Sequence, residues 1–173
     1  MSYPINDDGV ALLKESEKFV GFAYPDPMSP LARALQADRI WQAVLRGAPI
    51  PARYSHLDGR PWTIGYGFIE GVRPGDTMTQ AQADNLLARK LVPYCQAVLQ
   101  ACTIKPNENQ FAALVVCAWN IGIRGISTSS IIKAHNRGDF AAAARAFCLW
   151  NKSRGAVVPG LVTRRAREAA SGV

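Results

Sequence analysis

The 173-residue chain lacks the features that place a protein in a membrane or around a metal ion. No apolar run approaches the roughly 18 residues that a transmembrane helix requires. The first eight residues are polar and acidic, which is not the pattern of a signal peptide. The four cysteines have no spacing typical of zinc, and no internal repeat or low-complexity segment occurs. We therefore expect an ordinary globular protein without a transmembrane segment, metal or cofactor.

The cysteines are predicted to be reduced residues of the core, as in proteins made in the cytoplasm. Cys95 and Cys102 lie seven positions apart on one predicted helix. A rise of ~1.5 Å per residue separates them by roughly 10 Å. Because a disulfide needs Cα atoms within about 7 Å, these two cannot pair while the helix is intact. Cys117 and Cys148 are assigned to the core in the same way.

Acidic residues are scarce, and the net charge is +7. The basic excess lies in residues 27–60, with five arginines against two aspartates, and in residues 145–173, with six basic residues against one glutamate. This distribution predicts a polyanionic partner, either a bacterial envelope or a nucleic acid. No nucleic-acid motif accompanies the charge, so an anionic envelope is favoured. A basic surface with no dedicated partner is the alternative.

The length suits one domain, or two small lobes that share a helix. Asn6 and the acids after it predict the start of a first helix, which presents Glu17 near its end and stops at Gly21. Capping boxes at Thr79-x-x-Gln82 and Asn107-x-x-Gln110 predict two longer helices. Pro93 is expected to kink or divide the first of these. Gly122 and Gly125 are expected to end the second, with shorter helices at about 128–135, 139–150 and 161–171.

Two carboxylates and a hydroxyl form the most informative set of side chains. Glu17 ends a helical segment, and Asp26 follows nine positions later, beyond residues that break a helix. Thr63 lies in a strand-like run, Trp62-Thr63-Ile64-Gly65-Tyr66-Gly67. Such a set can supply a proton donor, a charge-stabilising or base carboxylate, and a group that holds water. Glycoside hydrolysis requires those three functions.

The pattern Glu17-x6-Tyr24-x-Asp26, followed by Thr63-Ile64-Gly65-Tyr66-Gly67, resembles the phage lysozyme (endolysin) family, glycoside hydrolase family 24. Further matching segments follow in the expected order: Thr79 to Ala83, Asn109 to Leu114, Trp119 to Gly122, Ser129-Ser130, Asn136-x-Gly138-Asp139, Trp150 and Gly160 to Glu168. Only about residues 27 to 60 lack a counterpart. One departure is Phe68, which stands where the family commonly has a structural histidine. His56 and His135 do not replace it and are expected at the surface.

The resemblance implies an α+β, lysozyme-like fold, mostly helical, within a single catalytic domain spanning 1–173. A small N-terminal lobe with a β-hairpin would precede a larger all-helical C-terminal lobe. The implied activity is that of a muramidase, which hydrolyses the β-1,4 bond between N-acetylmuramic acid and N-acetylglucosamine. Glu17 would be the general acid, and Asp26 and Thr63 would hold a water, with inversion at the anomeric carbon. The substrate-contacting residues implied are Tyr24, Tyr66, Gln110, Arg164 and Arg165, and either arginine is a candidate partner of Glu17.

The expected partners are peptidoglycan glycan strands and the anionic envelope, not nucleic acid, and the expected state is a monomer. The protein would be made in the host cytoplasm and would reach periplasmic peptidoglycan after a holin-type lesion permeabilises the membrane. A lytic transglycosylase is one alternative, because it needs a single glutamate and gives 1,6-anhydro products. The presence of Asp26 and Thr63 argues against it. A non-enzymatic cationic envelope-binding module is the other alternative.

Residues 27–60 form an insertion in the predicted N-terminal lobe, placing Asp26 and Thr63 37 positions apart. Apolar spacing predicts one helix from Leu31 to Arg46. On a continuous helix, Arg39 and Arg46 would share a face and form a modest basic patch. The insertion is interpreted either as an accessory binding element or as a structural elaboration packed on the small lobe.

Overall fold

The computed structural model describes residues 4–153 and 155–171. None of the helices in this part of the chain is long and apolar enough to cross a membrane. The helices are α1 (Asp7–Glu17), α2 (Pro30–Ala37), α3 (Trp41–Leu45), α4 (Gln80–Ala101), α5 (Glu108–Ile121), α6 (Ile123–Ser127), α7 (Ser130–His135), α8 (Phe140–Phe147) and α9 (Pro159–Ser171). The strands are β1 (Val20–Pro25), β2 (Trp62–Gly65), β3 (Lys152–Ser153) and β4 (Ala156–Val157), and a 3₁₀ turn spans Ala52–Tyr54.

The chain divides into two compact units. The hairpin unit comprises Glu17–Leu87 and contains the antiparallel pair β1–β2. The helical unit comprises the described residues of 1–16 and 88–173. The boundary between Leu87 and Ala88 falls within α4.

The helical unit is built around α5, whose central turns, residues 112–118, are buried. The predicted capping box is present. The Asn107 side-chain oxygen Oδ1 accepts from the backbone N–H of Gln110 at 2.8 Å, and the Gln110 side-chain oxygen Oε1 accepts from the backbone N–H of Asn107 at 3.1 Å. The helix ends at Gly122, whose φ of +82° favours glycine. Helix α9 packs against α5 and α8, and α7 packs against α8. Gly125 does not end α5 but lies within α6.

The predicted end of α1 requires correction, and of the two alternatives for Pro93, a kink or a division of the helix, the division is excluded. Helix α1 ends at Glu17, four residues before Gly21, because Lys18 adopts a left-handed φ of +54° that turns the chain towards β1. Helix α4 is not divided at Pro93 and runs through it. Leu87, Leu91 and Val98 on either side are wholly buried. Their burial offsets the roughly 3 kcal/mol that an interior proline costs a helix.

The insertion contains two helices, not the single one predicted. Helix α2 ends in a Schellman motif, in which the Ile40 amide donates to the Leu35 carbonyl and the Arg39 amide donates to that of Gln36, both at 3.0 Å. Arg39 takes the left-handed position of this motif, with φ +58°. Glycine usually takes this position, so an arginine there does not mark the end of a helix in the sequence. The predicted common face of Arg39 and Arg46 is therefore wrong, because no continuous helix joins them.

The insertion has a small core of its own. Buried Leu31, Leu35, Val44 and Tyr54 form it, and partly buried apolar side chains, including Trp41 and Trp62, pack against it. The Asp38 carboxylate at the end of α2 accepts hydrogen bonds from the Tyr54 hydroxyl and from Arg53. This packing favours the interpretation of the insertion as a structural elaboration of the small lobe.

Other differences lie near the C-terminus of the helical unit. The predicted helices at 128–135 and 139–150 are observed as α7 and α8, both shorter than expected. The sequence analysis missed the short hairpin β3–β4, which pairs Lys152 with Val157. The predicted surface position is correct for His56 but wrong for His135. His135 is 2% exposed because its Nε2 lies 2.8 Å from the Ile104 carbonyl oxygen and its ring packs on Phe140.

All four cysteines are free, but they do not all lie in the core. Cys95 and Cys117 are buried, Cys102 is partly buried and Cys148 is exposed. Burial raises the pKa of Cys95 and of Cys102 to about 11. Burial, with a smaller contribution from the charge of Glu168, raises the pKa of Cys117 to about 12.

Thiol titration of the folded protein should therefore show one fast-reacting cysteine, Cys148, and three slow ones. The thiolate is the reactive form, and high pKa values keep the other three protonated at neutral pH. Denatured protein, prepared without oxidant, should give the full count of four. A denatured count of two would reveal a disulfide, and four fast thiols in the folded protein would contradict the burial.

Candidate active site

Glu17 is the last residue of α1 and the first of the hairpin unit. Its side chain is partly buried. Gly67, in the turn after β2, lies beside it: a Cβ atom at that position would be 3.7 Å from Glu17 Oε2. The left-handed turn at Lys18 directs the chain into β1 directly after this carboxylate. Glu17 therefore lies next to the end of the hairpin whose second strand carries Thr63.

Asp26 lies just beyond β1, where both ends of the insertion meet it. Its amide is shared between the carbonyl oxygens of Gly59 at 2.9 Å and Pro61 at 3.0 Å. Its carboxylate oxygen Oδ1 accepts from the Met28 amide at 2.7 Å, and its carbonyl accepts from the Ser29 amide at 2.9 Å. The backbone around Asp26 is thus fixed on two sides, while its side chain remains partly exposed.

Thr63 is brought back beside this segment by strand pairing. In the β1–β2 register, Tyr24 pairs with Thr63 and Pro25 pairs with Trp62. Directly opposed residues of an antiparallel pair have Cβ atoms about 4.5–5.5 Å apart, on the same face of the sheet. The 27–60 insertion is therefore a closed excursion between two paired strands, and it leaves Asp26 and Thr63 as neighbours of one hairpin. The hairpin unit thus holds all three predicted catalytic residues, Glu17, Asp26 and Thr63.

Tyr24 is the β1 residue that pairs with Thr63. Burial raises the pKa of Tyr24, and the charges of Glu17 and Asp26 raise it further. The phenol is therefore close enough to both carboxylates to be affected by each of them, and it stays protonated through the neutral range. A protonated phenol can donate a hydrogen bond to a carboxylate or a sugar oxygen. The predicted role of Tyr24 as a substrate contact fits this location.

Tyr66 does not fit its predicted role. It is 1% exposed, it packs between Phe19 and Phe68, and its hydroxyl donates to Asp84 Oδ1 at 2.8 Å. The prediction that it contacts substrate is corrected to a core position. Phe68 is also buried, and it exchanges backbone hydrogen bonds with Ile64 across a tight turn. An apolar core contact therefore takes the place of the family's histidine.

The other predicted substrate contacts belong to the helical unit. The side chain of Gln110 is engaged in the α5 capping box. Arg164 is 9% exposed and its Nε lies 3.1 Å from Glu168 Oε1. Arg165 is wholly buried: Nη1 lies 2.7 Å from Glu168 Oε2 and 2.6 Å from Cys117 Sγ, and Nη2 donates to Asn120 Oδ1 at 2.7 Å. Arg165 is thus a buried ion-pair residue, which corrects its predicted place in the cleft.

Sequence analysis missed this buried cluster between α5 and α9. Burial raises the pKa of Glu168, while the guanidinium groups of Arg165 and Arg164 oppose that rise. The available signal was the spacing of Arg164 and Arg165 four and three positions before Glu168, which puts them on one helix face.

Over the described residues, no group of three or more histidine, cysteine, aspartate or glutamate side chains is placed to hold a metal ion.

Comparison with known proteins identifies the family. The sequence model named Phage lysozyme matches residues 50–168, which is more than half of the chain. The chain belongs to the phage lysozyme family. The matched range of this phage lysozyme includes Thr63 but begins after Glu17 and Asp26. The roles of those two carboxylates therefore rest on the N-terminal motif and on the hairpin geometry described above.

Relatives and solved structures agree with this assignment. The endolysin of Bacillus phage PZA is 40% identical over 110 residues, which is 63% of this chain and 43% of that protein. This phage lysozyme thus spans less than half of the length of that relative. The endolysin of Salmonella phage P22 is 34% identical over a segment that covers 68% of this chain and 82% of that endolysin. The muramidase domain of SpmX from Asticaccaulis excentricus superposes with a TM-score of 0.73 and 29% identity, covering 99% of both chains. The predicted lysozyme-like α+β fold is confirmed.

Proposed function

We propose that this chain is an endolysin muramidase that hydrolyses the β-1,4 bond between N-acetylmuramic acid and N-acetylglucosamine of bacterial peptidoglycan. The observation that supports it most strongly is the β1–β2 register, which pairs Thr63 with Tyr24, two residues before Asp26, despite the 36 residues between Asp26 and Thr63. Glu17 lies beside the same hairpin. Membership of the phage lysozyme family and the similarity to a muramidase domain support the substrate class.

In this proposal Glu17 protonates the glycosidic oxygen as the bond breaks. Asp26 stabilises the positive charge that develops at the anomeric carbon, and with Thr63 it holds the attacking water, whose proton passes to the Asp26 carboxylate as the new C–O bond forms. Tyr24, protonated between the two carboxylates, donates a hydrogen bond within the site. Attack by a water held on the face opposite the leaving group gives inversion. The anomer first released, followed by NMR during turnover, tests that stereochemistry.

We also propose how the protein reaches its substrate. The protein is made in the host cytoplasm and reaches periplasmic peptidoglycan after a separate lesion permeabilises the membrane. The net charge of +7 favours contact with an anionic envelope, an attraction that salt screens. The working unit is a monomer that carries the whole hairpin site within one chain.

Mass spectrometry of muropeptides released from purified peptidoglycan tests the reaction. We expect products with reducing N-acetylmuramic acid ends, since Asp26 and Thr63 supply a positioned water. Products with 1,6-anhydro ends would instead identify a lytic transglycosylase. Binding without any released muropeptide would identify a non-enzymatic envelope-binding module. The Glu17→Gln variant, digested in parallel, controls for contaminating hydrolases.

A further inference from the structure

An aromatic pair joins the insertion to Tyr24 of the hairpin site. Trp41, at the start of α3, lies with its ring centroid 6.2 Å from that of Tyr24, and the two ring planes make an angle of 83°. This is the edge-to-face arrangement that aromatic side chains favour at about 4.5–7 Å. Tyr24 has few rotatable bonds, so a ring held on one side restricts where its hydroxyl lies.

The position of Tyr24 gives this contact its significance. Tyr24 pairs directly with Thr63 and precedes Asp26 by two residues, so it borders both groups proposed to hold water. We propose that Trp41 is a positioning residue, which holds the Tyr24 ring so that its hydroxyl is directed into the site formed by Glu17, Asp26 and Thr63. This proposal rests on the proposed function of that site.

Two further observations support the proposal. Trp41 packs against the insertion core of Leu31, Leu35, Val44 and Tyr54, so packing restricts its ring independently of the contact with Tyr24. The insertion also reaches β1 at a second point. Gly47, just after α3, lies so close to Phe22 that a Cβ there would be 2.7 Å from the ring. Helix α3 is thus fixed against β1 at residues 22 and 24. The pKa of Tyr24 is consistent with a phenol near both carboxylates.

In this proposal the insertion positions a residue of the site, a role that the family resemblance did not predict. It lies in sequence between the two residues proposed to hold water, and its Trp41 contacts Tyr24, which pairs with one of them and precedes the other by two residues. The insertion is thus both a structural elaboration of the small lobe and an element that keeps Tyr24 in place. Trp41 does not touch the reacting atoms in this proposal and acts only through Tyr24.

A double-mutant cycle tests the proposal by comparing activity with stability. Trp41→Ala should lower kcat on peptidoglycan by roughly tenfold, since displacement by a fraction of an ångström disturbs a catalytic geometry. Tyr24→Phe, which keeps the ring but removes the hydroxyl, should lower kcat similarly. In the Tyr24→Phe background, Trp41→Ala should cause no further loss of kcat beyond about twofold. The fall in melting temperature due to Trp41→Ala should be the same in both backgrounds.

Three controls make each outcome decisive. Trp41→Phe should restore most of the activity, and Gln42→Ala, an exposed neighbour on the same helix, should leave it unchanged. If Trp41→Ala does not fold, Trp41→Leu compared with Trp41→Phe separates apolar burial from the aromatic contact. An equal loss of kcat from Trp41→Ala in both backgrounds, no loss at all, or full activity of Tyr24→Phe would each overturn the proposal. Full activity of Glu17→Gln would instead overturn the proposed function itself.

Discussion

Replacing Glu17 by glutamine should leave a folded protein with almost no lytic activity. Glutamine has nearly the same shape but cannot donate a proton to the glycosidic oxygen, and loss of general-acid catalysis costs roughly 10²–10⁴ in rate. The melting temperature should change little, because the side chain is only partly buried at the end of α1. The rate of turbidity clearing of permeabilised cells, with muropeptide release alongside it, measures the effect.

Glu15→Gln is the matched control. Glu15 lies on the same helix, is exposed, and pairs with Arg167. It should clear cells at close to the wild-type rate, whereas Asp26→Asn should lose much of the activity. Near-wild-type clearing by a folded Glu17→Gln variant would remove Glu17 from the mechanism. Loss of activity in Glu15→Gln, with none in Asp26→Asn, would show that a different pair of carboxylates is used.

Replacing Arg165 by alanine should cost about 3–5 kcal/mol of folding free energy, the largest stability effect that we expect from a single change. Arg165 and Glu168 are both wholly buried, so the substitution leaves a carboxylate in the core with only Arg164 beside it. The Cys117 and Asn120 side chains also lose their guanidinium partner. Equilibrium denaturation in urea measures the difference.

Arg167→Ala is the comparison for this variant. It removes an arginine of the same helix whose partner, Glu15, is exposed, so its cost should stay below about 1 kcal/mol. Adding Glu168→Gln to Arg165→Ala should recover part of the lost stability, because the buried carboxylate charge that Arg165 balanced is then gone. A cost for Arg165→Ala no greater than that for Arg167→Ala would show that the buried ion pair does not hold α9 to α5.

The N-terminal motif was sufficient to predict the three candidate catalytic residues. Glu17, Asp26 and Thr63 are short-range signals: the first ends an amphipathic helix, and the others border segments with clear turn and strand composition. The capping boxes at Thr79 and Asn107 were equally readable, since a cap depends on residues only three positions apart. Local interactions fix such features, so a single sequence contains the information.

Features that depend on distant partners were not readable. At the break between α2 and α3, Arg39 takes a backbone conformation that glycine usually adopts. The neighbouring Asp38 accepts hydrogen bonds from Arg53 and Tyr54, which lie in a later turn of the chain. Tyr66 lies in the core because Phe19 and Asp84, far from it in sequence, meet its ring and hydroxyl. His135 is buried for the same kind of reason, through Ile104.

The sequence by itself determined the family and the fold class and supplied the candidate catalytic residues, because each of those rests on short motifs that are readable without any tertiary contact. Only the tertiary structure decided which polar residues are buried and how the insertion is accommodated. Arg165 was predicted to contact substrate, but Glu168, Cys117 and Asn120 enclose its guanidinium group. The insertion separates Asp26 from Thr63 by 37 positions, yet strand pairing brings them together, because a register depends on which residues face each other across the sheet and not on their distance along the chain.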